Sequence, residues 1–536
     1  MLNRRHFLRA GGLWTASLMA GCLQSPRQTP SRTPPNILFI MSDDHASHAM
    51  SCYGSRINQT PNLDRLAKEG MRFRNCFCTN SICSPSRAVI LTGKYSHING
   101  KIDNRGSFDG SQQTYPKLLR QAGYETALIG KWHLQSDPTG FDYWQILPGQ
   151  GSYYNPDFIQ MDGSRKHYDG YCTDIITDFS IEWLEHRPDK SKPFLLISQH
   201  KAPHRCWSPH PRYFGKYKHG TIPEPETLFA DRSVHSEASA QSEMSIRDHF
   251  FWGHDMKFKG PNLFPDHFAS GSAHGEYQRM TPEQKEQWDA YYEPENQKFI
   301  EQMNAGKLTD EDIVRWKYQR YMHDYLGAVA AVDDGVGRLL DYLDEKGLAE
   351  NTIVVYTSDQ GFYLGDFGWF DKRFMYEESL RMPLLVRWPD RIKPGSIADA
   401  MVLNLDFAAT FLDASGTTIP DDIQGESLMP ILERRRPKNW RTAMYYHYYE
   451  YPAEHNVKRH YGIRTERYKL IHFYYDIDAW ELYDLQKDPN ELKNLYHDPR
   501  YADLVKRLKD QLARLRERYG DSDELTRSFL PPPVTQ

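Results

Sequence analysis

This chain of 536 residues has little charge imbalance, since 66 basic and 71 acidic side chains leave a formal net charge of −5. No basic footprint argues for nucleic acid, or for a polyanion held by charge alone, so an anionic ligand has to be met by a local cluster of cations. Cysteine is also scarce, at seven residues. With Cys22 and Cys83 set aside for the readings below, Cys52, Cys76, Cys78, Cys172 and Cys206 are an odd set, which excludes a fully paired disulfide framework. Cys76, Cys78 and Cys83 lack a fourth ligand at zinc-site spacing, so most of the thiols read as core filler. There is no internal repeat, and the N-terminal apolar stretch is of a length that rarely spans a bilayer. What is present is the composition of a soluble globular protein, 39% hydrophobic and 26% charged, long enough for a large domain and a smaller one.

The first residues, MLNRRHFLRAGGLWTASLMAGC, have an arginine-bearing head, an apolar stretch and small residues before Cys22. Arg4 and Arg5 followed by His6, Phe7 and Leu8 resemble a twin-arginine export signal, and LMAGC resembles a lipobox in which Cys22 is lipidated after cleavage. A signal cleaved without lipidation and a retained anchor are the alternatives. The expectation is an exported protein of the periplasm or cell envelope, touching the membrane only through a lipid at Cys22. Residues 1–21 are then the signal, and the Pro/Ser/Thr-rich residues 22–35 a tether.

Short apolar runs bounded by turns recur along the chain: NILFIM (36–41), TALIG (126–130), FLLIS (194–198), TIVVYTS (352–358) and PLLVRW (383–388). Fully buried strands of a parallel sheet have this pattern. Amphipathic helical patterns lie between them, at 62–70, 173–186 and 326–347, the last closed by a C-capping Gly347. The alternation predicts an α/β fold with helices on both faces of the sheet.

The residues following these runs form an unusual set: Asp43 and Asp44; Lys131, Trp132 and His133; His200, Lys201 and His204; Asp359 and Gln360. In open α/β sheets ligands bind at the carboxyl ends of the strands, so these groups are expected to converge on one crevice. Three carboxylates and an amide oxygen suit a hard cation, Ca²⁺ or Mg²⁺. Lys131, His133, His204 and Lys372 would surround a bound anion with cations and proton donors.

CSPSRAVILTG (83–93) and GYETALIGKWHL (123–134) resemble the paired signatures of the type I sulfatases of the alkaline phosphatase superfamily, and the likeness extends over residues 36 to about 490. The resemblance implies a large mixed, mostly parallel sheet with helices on both faces, in a catalytic domain at 36–436. It also implies a smaller C-terminal subdomain at 437–536 with an antiparallel sheet and a helix. Cys83 would be oxidised by a sulfatase-maturing enzyme to formylglycine, whose hydrate attacks sulfur with one hydroxyl and expels sulfate with the other. By matched motif, Asp43, Asp44, Cys83, Asp359 and Gln360 would hold the metal, Ca²⁺ with Mg²⁺ as the alternative. Arg87 would hold the aldehyde hydrate, Lys131 and Lys372 the sulfate oxygens. His133 would assist proton removal from the diol, and His204 would protonate the leaving alcohol.

Residues 215–320 read as a polar, aromatic-bearing insertion without a clean period. The stretches HKAPHRCW, GFDYWQILPGQGSYYNPDF and GFYLGDFGWFDKRFMYEESLR are most similar to bacterial N-acetylglucosamine-6-sulfatases. The expected substrate is a 6-O-sulfated N-acetylglucosamine of glycosaminoglycans or mucins, with Asp371, Arg373, His447 and His455 reading the sugar. Another carbohydrate or aryl sulfatase, a phosphodiesterase or phosphonate hydrolase of the superfamily, and a non-catalytic sulfated-glycan-binding protein are the alternatives. The oligomeric state is not legible in the sequence.

Overall fold

The apolar runs become strands because each is buried on both faces. In the computed structural model, which describes residues 34–217, 220–259, 275–435 and 437–530, β1 (Asn36–Ser42) has Ile37, Phe39 and Met41 in one hydrophobic layer and Leu38 and Ile40 in the other. All five are 0% exposed. At about 2 kcal/mol each, their burial contributes on the order of 10 kcal/mol against the entropy of ordering the strand.

Strands β2 (Met71–Phe77), β3 (Glu125–Lys131), β4 (Tyr143–Leu147), β5 (Asp157–Gln160), β6 (Arg165–His167), β7 (Phe194–Gln199) and β8 (Thr352–Ser358) join β1 in an eleven-stranded sheet. Its centre, in the order β8, β1, β7, β3, β4, is parallel. The sheet is mixed, as expected, and the run PLLVRW supplies an antiparallel member: Leu384–Arg387 lies between β8 and β2 and is antiparallel to both. Burial on two faces makes the run apolar whichever way it points, so composition could not reveal its direction.

One face of the sheet is covered by the helices Cys172–His186 and Asp310–Glu345. The other is covered by Asp406–Ser415, whose Phe407 and Phe411 meet Phe39 edge-on. The insertion is more ordered than its sequence suggested. It holds the helix Pro282–Asn304, and Asp310–Glu345 begins well before the pattern at 326–347. Both helices start at a capping box, Thr281/Gln284 and Thr309/Asp312. The first buries only Trp288, Tyr292, Asn296 and Phe299, too sparse a stripe to read against Pro294 within it.

The antiparallel strands Ala443–Tyr448, His460–Thr465, Tyr468–Phe473 and Ala479–Asp484 form a second sheet, on which the helix Ala502–Arg518 lays Leu508 and Leu512. Among the described residues no helix is long and apolar enough to cross a membrane. The signal at 1–21, Cys22 and the tether up to residue 33 lie outside the described residues.

Candidate active site

Register decides which strand ends meet. Ser42 pairs with Ser358, Met41 with both Thr357 and Gln199, and Gly130 with Gln199. β8, β1, β7 and β3 therefore end level, and the polar residues that follow them emerge at one edge. Gly130 is required there: its φ is +107°, and a Cβ would sit 1.9 Å from the Gln199 carbonyl oxygen.

Cys83 opens the helix Cys83–Thr92 beneath this edge, with Sγ 3.4 Å from Asp43 Oδ1 and 3.8 Å from Gln360 Nε2. One turn on, Arg87 lies on the same helix face, 2% exposed. It donates to Asp359 Oδ2 through Nε at 3.0 Å and Nη2 at 2.9 Å, and to Asp43 Oδ2 at 3.2 Å. Nη1 is taken by the Lys131 carbonyl at 2.6 Å and the Gln199 amide oxygen at 3.0 Å. Lys131 pairs with Asp43 and also donates to Gln150. Lys372 donates to Asp44 at 2.8 Å, and His204 places Nε2 3.7 Å from the same carboxylate.

The electrostatics are those of a buried charge cluster. Burial pushes the Asp43 carboxyl up, but Lys131, His204, Arg87 and Lys372 together hold it well below the usual range. Asp44 is pushed up to about 8 by burial, which Lys372 only partly offsets, and by repulsion from Asp43 and Asp359. Asp359 is also raised, by burial and then by Asp43. Burial, followed by Asp43, drives the Cys83 thiol well above its ordinary value, so the unmodified thiol is a poor nucleophile here.

Asp43, Asp44 and Asp359 each offer an oxygen within 4.8 Å of the others, and Asp43, Cys83 and His204 form a second such group. Gln360 adds a buried amide oxygen, Oε1, with no hydrogen-bond partner among the described residues. Three crowded carboxylates and an orphaned carbonyl oxygen fit a hard divalent cation.

The structure thus brings together Cys83, Arg87, Lys131, His204, Lys372, Asp43, Asp44, Asp359 and Gln360. His133 is close enough to Lys131 and Asp43 to feel both charges, yet among the described residues its Nδ1 makes no hydrogen bond; burial and then Lys131 hold it neutral. Asp371, Arg373 and His455 form a second group around Lys372: Asp371 accepts from Arg373 Nε at 3.0 Å and faces His455 Nε2 at 3.3 Å. His447 does not join them. Its strand alternates faces, so Tyr446 and Tyr448 point to the Arg373 loop, bonding Arg373 O at 2.6 Å and Nη1 at 3.2 Å. His447 faces the other way, to Asp521 at 2.9 Å and the Tyr474 hydroxyl at 2.7 Å.

Asp44, His133, Asp371, Arg373 and His455 all have positive φ, between 57° and 89°. Such conformations cost about 1–3 kcal/mol each in non-glycine residues and gather where geometry matters more than stability. Sequence reasoning overlooked Gln150, Gln199 and Tyr448, and placed Lys201 at the crevice without a role. Gln199 ends the run FLLISQ and Gln150 stands between Gly149 and Gly151, the available signals.

The family model described as Sulfatase matches residues 35–417, and one described as N-sulphoglucosamine sulphohydrolase, C-terminal, matches 365–518. An N-acetylglucosamine-6-O-sulfatase of Bacteroides thetaiotaomicron is 50% identical over 511 residues, 94% of this chain and 90% of its own. A solved structure of a protein in complex with its substrate D-glucosamine-2-N,6-O-disulfate matches with a TM-score of 0.87 at 51% identity, covering 92% of this chain and 99% of that one. A phosphonate monoester hydrolase of Silicibacter pomeroyi, at TM-score 0.65 and 22% identity over 90% of this chain and 96% of its own, shares the fold alone.

Proposed function

Because this chain belongs to the sulfatase family and so hydrolyses sulfate esters, we propose that it removes the 6-O-sulfate of N-acetylglucosamine residues in sulfated glycans. The observation that carries the reading is the Asp371, Arg373 and His455 group set around Lys372. A primary sulfate projects from its sugar ring, so a ring whose sulfate reaches Lys372 would present its hydroxyls to those three side chains. The half-identical relative of that name supports the same substrate.

Oxidised to formylglycine, Cys83 would supply the nucleophile as a hydrate, and a hard cation, read as Ca²⁺, would neutralise charge among Asp43, Asp44, Asp359 and Gln360. Arg87 bridges Asp43 and Asp359 through Nη2 and would orient the group at Cys83. Lys131 and Lys372 would bind the sulfate oxygens as charge builds on them. His204 donates Nδ1–H to the Arg205 carbonyl at 2.7 Å and points Nε2 at the centre; burial and then Lys131 hold its pKa well below the usual value, so Nε2 would have to take up a proton as the anionic substrate enters before giving it to the departing alcohol. His133, kept neutral, would take the proton from the diol. We further propose that a maturation enzyme reads the CSPSR segment before folding, that residues 1–21 direct export to the periplasm or envelope, and that Cys22 carries a lipid.

Two measurements test this. Trypsin releases residues 75–87 as NCFCTNSICSPSR, and in active protein that peptide should react with a hydrazide at residue 83; an active preparation holding only the thiol refutes the mechanism. N-acetylglucosamine 6-sulfate should be cleaved well ahead of the galactosamine epimer, because a site that pairs a ring hydroxyl rejects one misplaced at C4. Equal rates on both would remove the glucosamine assignment, and faster turnover of a phosphonate monoester would favour the superfamily alternative.

A further inference from the structure

The strand-end segment QHKAPHR contains a cation that this chemistry leaves unused. Lys201 is 3% exposed, yet among the described residues it forms no ion pair with a carboxylate. Its Nζ lies instead 3.5 Å from the Arg205 carbonyl oxygen and 4.8 Å from the centre of the Tyr153 ring. Burying an ammonium costs several kcal/mol, and a cation–π contact returns about 0.5–2 of that, so Lys201 is not there for stability.

Both of its contacts lead to His204. The Arg205 carbonyl that faces the ammonium also accepts the His204 Nδ1 proton at 2.7 Å. The Tyr153 hydroxyl donates to the His204 carbonyl oxygen at 2.6 Å. Tyr153 is held from behind, its backbone N–H meeting the two Glu276 carboxylate oxygens at 3.0 and 2.9 Å. One carbonyl oxygen therefore serves imidazole and ammonium with its two lone pairs, which fixes the direction it points and so the plane of the imidazole ring. With Nδ1 engaged, Nε2 is left to face the reacting centre.

We propose that Lys201, seated on Tyr153, is the positioning residue for His204. This rests on the reading of His204 as the proton donor. Lys201 touches no substrate; it holds the Arg205 carbonyl so that Nε2 of His204 lies in line with the oxygen of the leaving alcohol. A misdirected ring can cost up to about a hundredfold in rate without weakening binding.

The test is a cycle of variants assayed on N-acetylglucosamine 6-sulfate, with melting temperatures recorded. Lys201→Met should lower kcat about ten- to a hundredfold with KM within about twofold. Lys201→Arg, which restores a donor, should recover part of the loss. Tyr153→Phe keeps the ring under the ammonium and removes only the hydroxyl, so it should give a smaller loss of the same kind, and it carries the cycle if Lys201→Met does not fold. In a His204→Ala background each change should have no further effect. Losses that multiply with an impaired His204→Ala, or that fall on KM, overturn the proposal alone. Full turnover by His204→Ala overturns the proton-donor reading and the proposal with it.

Discussion

Replacing Arg87 by methionine removes a guanidinium that bridges two buried carboxylates. Three charge-assisted bonds are lost, two to Asp359 and one to Asp43, with the bonds to the Lys131 carbonyl and Gln199. All these partners are buried, so none gains water in exchange. Breaking a buried ion pair from one side costs about 3–5 kcal/mol, because the remaining charge is left uncompensated. Methionine fills most of the volume, so the cost is electrostatic rather than a cavity. It should also depend on pH. Asp359 already has its pKa raised by burial and Asp43, and losing Arg87 raises it further. A carboxyl with a raised folded-state pKa destabilises as pH rises through that value, so the Arg87→Met deficit should be larger at pH 8 than at pH 5. Urea unfolding of metal-free protein at the two pH values, with millimolar Ca²⁺ added in a second series to restore part of the lost compensation, measures all three effects. A cost below about 1 kcal/mol, or one indifferent to both pH and cation, would refute the argument.

Three further outcomes follow, two from the same site and one from a second buried charge cluster. His204→Ala should slow release of a sugar alcohol about 10²- to 10⁴-fold while costing much less with a nitrophenyl sulfate, whose leaving group needs no proton; equal losses would show that His204 serves another purpose. Asp359→Asn should abolish the rise in melting temperature produced by Ca²⁺, since one of the three carboxylates that crowd the cation position has lost its charge; an undiminished Ca²⁺ response would place the cation elsewhere. Glu377, though burial pushes its carboxyl up, is held well below the usual range by Arg464, Lys469 and Arg381. Its contribution is complete above its ordinary pKa and is lost as pH falls through the depressed one, so Glu377→Gln should lower stability near neutrality and flatten acid unfolding; a parallel shift of the whole pH curve would count against it.

Much of the site was legible because its chemistry follows strand ends. Asp43, Asp44, Lys131, His204, Asp359 and Gln360 each come one to six residues after a recognisable apolar run, and parallel strands carry their ends to one edge. Cys83 and Arg87 were legible through a motif. The group at Asp371, Arg373 and His455 was only partly so: His447 was placed with it by residue type, and strand alternation against Tyr446 and Tyr448 turns its ring to Asp521 instead. The helix Pro282–Asn304 was invisible because its buried aromatic residues are few and a proline stands within it.

Local periodicity and residue chemistry, which are properties of neighbours in the chain, determined the α/β class and the set of strand-end carboxylates, while a motif resemblance singled out Cys83 and Arg87. Partners far apart in sequence were another matter. The meeting of Arg87 with Asp359, of Arg373 with Tyr448 and of Lys201 with Tyr153, and the antiparallel course of Leu384–Arg387, were decided only in the tertiary structure. Register and strand direction set those contacts, and both are chosen by packing over the whole sheet: a buried apolar run is equally satisfied in either direction, and a polar side chain can be satisfied by any partner that the fold brings within reach.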